Sequence, residues 1–173
     1  MLLRRSRRRR LRRRGRRAAA RRHHPAEAAE GVDVLLVCVS DNAAVEAVLF
    51  GANGASDHLA AGSVVVDCST IAPATAIASA QRLARQGVHY LDAPVTGGTE
   101  GAKAGSLTVL VGGEAAALER ARPVLEIFGN SIHHFGPVGR GQQVKAVNQV
   151  LVAGSYAAVD TCKAADVLRK NLC

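Results

Sequence analysis

Apolar and polar positions along the chain alternate between short apolar runs and longer amphipathic stretches. Val34-Leu35-Leu36-Val37-Cys38-Val39 is a continuous run rich in branched residues, which predicts a strand buried on both faces. Asp41 or Asn42 can cap a helix carrying Val45, Val48 and Leu49 on one side, and Gly51 to Gly54 breaks it. Val64 to Asp67 predicts a second strand, and a turn from Thr70 to Pro73 leads into a helix over Ala74 to Gln86. Val88 to Leu91 and Leu107 to Val111 predict further strands, followed by a helix from Glu114 to Phe128 and a short strand at Ile132 to His134. From Gly141 to Lys170 the pattern is helical, interrupted only by Gly154. Before the first strand, Pro25 to Glu30 reads as the end of a short helix stopped by Gly31. Strands alternating with helices of this length imply βαβ units and a doubly wound, mainly parallel α/β sheet. Ligands of such sheets bind beyond the carboxyl ends of the strands. That directs attention to Ser40–Asn42, Cys68–Ile71 and Asp92–Gly98.

Composition changes the picture at one end. The 173 residues carry a formal charge of +9. Thirteen of the 23 basic residues are arginines within residues 1–22, where there is no acid. The ten that remain face all fourteen acidic residues, so the body from His23 onward is mildly acidic. The basic character therefore belongs to a tail and does not make the whole chain a nucleic-acid binder. Residues 1–24 are expected to be disordered, since like charges repel and little apolar surface is available to bury. Three readings of this tail stay open: an arm for nucleic-acid phosphates, an Arg-rich mitochondrial presequence, or the product of a disrupted or mis-started reading frame. Four scattered cysteines exclude a disulfide scaffold, and no His or Cys cluster has metal-ligand spacing, so no metal is expected. Cys38 and Cys68 read as buried small residues in a reducing, cytoplasmic setting. The longest apolar run is far below the roughly 20 residues of a membrane span, so no membrane partner is expected.

Two strings carry candidate chemistry. Asp92-Ala93-Pro94-Val95-Thr96-Gly97-Gly98 follows a strand end. Its paired glycines let backbone N–H groups approach an anion, and Thr96 adds a hydroxyl. Gly139 to Gln149 opens the last helix and places Lys145, Asn148 and Gln149 at i, i+3 and i+4 on one face. A partly buried lysine there would have its pKa lowered and could shuttle a proton. Taken singly, each string also reads as a tight turn or a solvated lysine.

Taken together with Gly101 to Gly113 between them, the strings resemble the β-hydroxyacid dehydrogenase family, which includes 3-hydroxyisobutyrate dehydrogenase and tartronate semialdehyde reductase. Asp92–Gly98 is similar to that family's D-A-P-V-S-G-G loop, with Thr96 replacing serine, and Lys145–Gln149 to its K-x-x-N-Q helix. Val64–Ile71 is similar to its V-V-D-x-S-T-I strand and turn. Val34–Asp41 resembles the strand and loop under its dinucleotide, with Val39-Ser40 where L-P is usual. The resemblance implies a Rossmann-type NAD- or NADP-binding domain over residues 25–138 and the start of a helical domain over 139–173. It implies Lys145 as general acid/base, and Thr96, Gly97, Gly98 and Asn148 as substrate-binding. It implies Val39, Ser40 and Thr70 as cofactor-binding, and hydride transfer to or from a small 3-hydroxy acid.

The family's G-x-G-x-x-G turn has no counterpart in this sequence, and neither does most of its C-terminal helical domain. NAD and NADP stay equally open, and an incomplete copy with little activity alone is expected. The apolar strand Val34–Val39 would then form a sheet edge, through which, or through the last helix, the chain could self-associate. A non-catalytic interaction protein with a nucleic-acid-binding Arg-rich arm is the competing reading.

Overall fold

The computed structural model of the chain describes residues 22–171, with side chains to residue 161. All but the last three residues of the tail expected to be disordered lie outside that range. A short helix α1 (Pro25–Ala29) precedes β1 (Val34–Val37), α2 (Asn42–Phe50), a 3₁₀ turn (Ser56–His58), β2 (Val64–Asp67) and α3 (Pro73–Ala84). Next come β3 (His89–Asp92), β4 (Val95–Thr96), α4 (Gly98–Ala104), β5 (Leu107–Val111), α5 (Ala115–Leu125), β6 (Gly129–His134) and α6 (Arg140–Asn171).

The strands form two three-stranded sheets. β1, β2 and β3 are parallel, in that order, with Val37 opposite Asp67 and Asp67 opposite Asp92. In the second sheet β4 pairs antiparallel with β5, and β5 pairs parallel with β6. A single bridge, Asp92 to Gly112, joins the ends of the two sheets. The expected mainly parallel sheet is thus divided where Pro94 and the paired glycines turn the chain. Sequence reading also gave no sign of β4 or α4. Neither has apolar periodicity, and α4 buries no residue.

Side chains of β2 alternate between two apolar layers, as strand geometry requires. Val65 joins Val45, Leu49, Ala76 and Leu83 under α2 and α3. Val64, Val66 and Cys68 join Leu118, Ala121 and Leu125 of α5, with Val109 and Val111 of β5. Helix starts follow local chemistry. Asp41 caps α2 by accepting from the Ala44 amide at 2.8 Å, and Pro73 opens α3.

Two expectations fail at β1. Leu36 is 44% exposed, so the strand is not buried on both faces. Cys38, expected to be buried, is exposed. Both residues lie on the α5-facing side of the sheet, and among the described residues β1 pairs only with β2. The apolar layer therefore stops one strand short of them. Cys68 is buried, and burial pushes its thiol up to about 12.

Leu83 is fully buried, and Leu83→Ala should cost about 2–5 kcal/mol of stability in urea unfolding. Leu36→Ser should cost no more than about 0.5 kcal/mol. A loss at Leu36 as large as that at Leu83 would mean that its face is covered in solution.

Candidate active site

The site is assembled at the carboxyl ends of β1, β2 and β3, where the start of α6 docks. Its anchor is Asp92, the last residue of β3, which is fully buried. Asp92 Oδ1 accepts from the Gly139 amide at 2.8 Å and Oδ2 from the Gln142 amide at 2.9 Å. A side chain from the sheet thus satisfies amides that the first turn of a helix leaves without partners. Burial raises the Asp92 carboxyl above the usual range, and the amides of Gly139 and Gln142 oppose that rise. The approach is close enough to exclude side chains. A Cβ at Gly141 would collide with the Leu110 carbonyl, and one at Gly112 with Asp92 itself.

Gln142 makes the second attachment. It is 2% exposed; its Nε2 donates to the Ser69 carbonyl at 2.7 Å and its Oε1 accepts from the Ile71 amide at 3.2 Å. The same loop is tied to the segment between β1 and α2 and to the first residue of α2. The Val39 amide donates to Ser69 Oγ at 2.9 Å, and the Ala72 amide donates to Asn42 Oδ1 at 2.8 Å. Asp67 holds the loop's base, accepting from the Ser69 amide at 2.9 Å and from the Tyr90 hydroxyl at 2.7 Å.

One turn beyond Gln142 is Lys145, only 8% exposed. Among the described residues it forms no ion pair. Burial lowers its pKa. One further turn on, Asn148 Nδ2 donates to Thr96 Oγ1 at 3.3 Å. Helix α6 is therefore tied to Thr96 at the end of β4, with Lys145 and Asn148 three residues apart on one face. Gly97 and Gly98 have φ of 128° and 62°, conformations that favour glycine. Beside Gly98 a Cβ would meet nothing within 4 Å, so its backbone borders open space.

Of the expected site residues, Asn148 meets Thr96 directly, Gly97 and Gly98 follow Thr96 in the chain, and Lys145 lies three residues before Asn148 on α6. Val39, Ser40 and Thr70 lie on the neighbouring loops after β1 and β2. Ser40 and Thr70 are exposed and Val39 is half-buried. Neutral hydroxyls beside an apolar side chain suit a nicotinamide riboside, and these two loops carry no cation for a phosphate. Sequence reasoning missed Asp92 as an anchor and Gln142 as a buried tie. The signal available was Gly139-x-Gly141 at the start of the helix, since glycines there permit a close backbone approach.

Among the described residues no group of three or more His, Cys, Asp or Glu could hold a metal ion, and no helix is long and apolar enough to cross a membrane.

Comparison with known proteins gives a consistent picture. Residues 3–136 match the family described as the NAD binding domain of 6-phosphogluconate dehydrogenase. The NAD-dependent L-serine dehydrogenase of Pseudomonas aeruginosa is 44% identical over 127 residues, covering 73% of this chain and 43% of that protein. The 2-hydroxy-3-oxopropionate reductase of Escherichia coli is 40% identical over 133 residues, covering 77% of this chain and 46% of that protein. The crystal structure of 3-hydroxyisobutyrate dehydrogenase from Salmonella typhimurium superposes with a TM-score of 0.73 at 35% identity, covering 78% of this chain and 47% of that one. The chain spans less than half the length of these relatives.

A buried lysine with a lowered pKa binds fewer protons in the folded than in the unfolded chain. Its penalty is full below the folded-state pKa and fades as pH rises from there to the ordinary value of 10.5. Lys145→Met should therefore melt at a higher temperature than the native chain at pH 7, with the gap narrowing as pH climbs toward 10.5. A variant less stable at pH 7, or a gap independent of pH, contradicts the burial of an ammonium at this position.

Proposed function

Because the chain belongs to the family of the NAD binding domain of 6-phosphogluconate dehydrogenase, we propose that its site serves NAD(P)-dependent oxidoreduction of a small 3-hydroxy acid. The observation that supports this reading is the Asn148–Thr96 hydrogen bond, which ties the α6 turn after the buried Lys145 to the strand that leads into Gly97 and Gly98. The named activities of its relatives, an L-serine dehydrogenase and a 2-hydroxy-3-oxopropionate reductase, point to the same substrate class.

The residues divide the work as follows. Thr96 and the amides of Gly97 and Gly98 hold the substrate carboxylate, orienting the hydroxyl-bearing carbon toward α6. Asn148 hydrogen-bonds the substrate oxygen while keeping the helix against the loop. In oxidation Lys145 Nζ takes the hydroxyl proton; in reduction it returns the proton to the carbonyl oxygen. Burial favours the neutral amine this requires. A bound nicotinamide dinucleotide supplies the acceptor or donor of the hydride. Val39, Ser40 and Thr70 would hold the nicotinamide and its ribose.

The test is a ligand titration of the isotope-labelled chain by NMR. Millimolar 3-hydroxypropionate should shift the Gly97 and Gly98 amides and the Lys145 side chain, and NADH should shift Ser40 and Thr70. Lys145→Ala should keep the carboxylate response of Gly97 and Gly98 and abolish whatever NADH-linked turnover the chain shows. Saturating additions that leave all of these signals in place would falsify the reading.

A further inference from the structure

Between the loop proposed to meet the cofactor and the helix proposed to carry the acid/base, one side chain makes two hydrogen bonds. We propose that Gln142 is a positioning residue that sets Lys145 relative to the loop carrying Thr70, so that the nicotinamide side and the proton-transfer side of the site move as one body. This deepens the proposed function and rests on it for the meaning of the two sides, but its physical content is the clamp itself.

The two bonds of Gln142 reach the two neighbours of Thr70. Nε2 donates to the Ser69 carbonyl at 2.7 Å, and Oε1 accepts from the Ile71 amide at 3.2 Å. Ser69 and Ile71 are both buried, whereas Thr70 between them is exposed. The clamp therefore fixes the backbone on either side of Thr70 and leaves its side chain free for a ligand. A glutamine suits the task because it presents one donor and one acceptor on a plane. A carboxylate there would lose the donor, and a lysine the acceptor. At its other end, Gln142 is held by its own amide to Asp92 Oδ2 at 2.9 Å, and it stands three residues before Lys145 on the same helix. Ser69 continues the chain of contacts by accepting the Val39 amide. The path from Val39 to Lys145 thus consists of hydrogen bonds and one helical turn, closed to solvent at Ser69 and Gln142.

The charged groups around this turn are otherwise engaged. Arg140 donates to Gln143 Oε1 at 2.8 Å, Asp92 accepts the two α6 amides, and Asp67 accepts Ser69 and Tyr90. The setting of Lys145 therefore depends on how tightly the turn is seated, which makes its titration a gauge of the clamp.

The experiment compares the native chain with Gln142→Met, which keeps length and apolar bulk but removes both bonds, and with Leu83→Ala as a control for general destabilisation remote from the site. Lys145 is followed by ¹³Cε chemical shift against pH, without any ligand. In Gln142→Met the Lys145 midpoint should move up toward the ordinary lysine value of 10.5, and the Ser69–Ala72 amides should shift with it. In Leu83→Ala both should stay as in the native chain. An unmoved Lys145 midpoint in a folded Gln142→Met overturns the proposal and leaves Gln142 a packing residue. Should that variant not fold, native-state hydrogen exchange of the unaltered chain decides. The Ile71 amide should open together with the Gln142 amide, and exchange of Ile71 while Gln142 stays protected overturns the clamp. Neither arm uses a substrate or dinucleotide, so the clamp can hold while the assigned reaction fails, and the reverse.

Discussion

A carboxylate buried at the end of a strand holds this structure in its working form. Asp92 closes β3, bridges to Gly112 at the head of the second sheet, and accepts two amides from the start of α6. Three parts of the chain that are far apart in sequence meet at that side chain. Hydrogen bonds to a charged group are each worth about 1.5–3 kcal/mol, against a burial penalty of comparable size. The two amides offset part of the burial penalty of the charge, so the carboxylate and the helix start depend on each other. The glycines at 112 and 141 are the steric condition of that approach. Any side chain there would push the helix off the sheet.

The chemistry inherits this geometry. Lys145 is buried on a helix that packs against β3, β5 and α3. Burial leaves more of its amine neutral than on an exposed lysine, and the same burial is a load on the fold. Opposition between stability and function is expected where a charged group is kept in a poor solvent for a purpose. Gly98 carries no such load, since the space beside its backbone is open.

Much of this could be read from the chain. The runs at Val64–Asp67 and Leu107–Val111 are strands because branched residues buried on both faces allow little else. Lys145 and Asn148 fall on one helical face by spacing alone. The division into two sheets was not legible, because whether Val95-Thr96 pairs parallel or antiparallel is decided by how the glycine turn aims the chain. Gln142 was hidden for a different reason. A glutamine in the first turn of a helix looks solvated until the loop that needs its amide is folded against it. Asp92 read as the first letter of a loop because its partners are backbone amides nearly fifty residues away, which carry no side-chain signature. At β1 the apolar run promised burial on both faces, but the α5-side layer reaches Val34 and leaves Leu36 exposed.

The most direct test of the account is a carboxyl titration of Asp92, followed at ¹³Cγ with the Gly139 and Gln142 amides observed in the same samples. The account predicts one shared midpoint, above the ordinary aspartate value of 3.8, at all three positions. A midpoint at or below that value, or amides of Gly139 and Gln142 that ignore the protonation of Asp92, would contradict it.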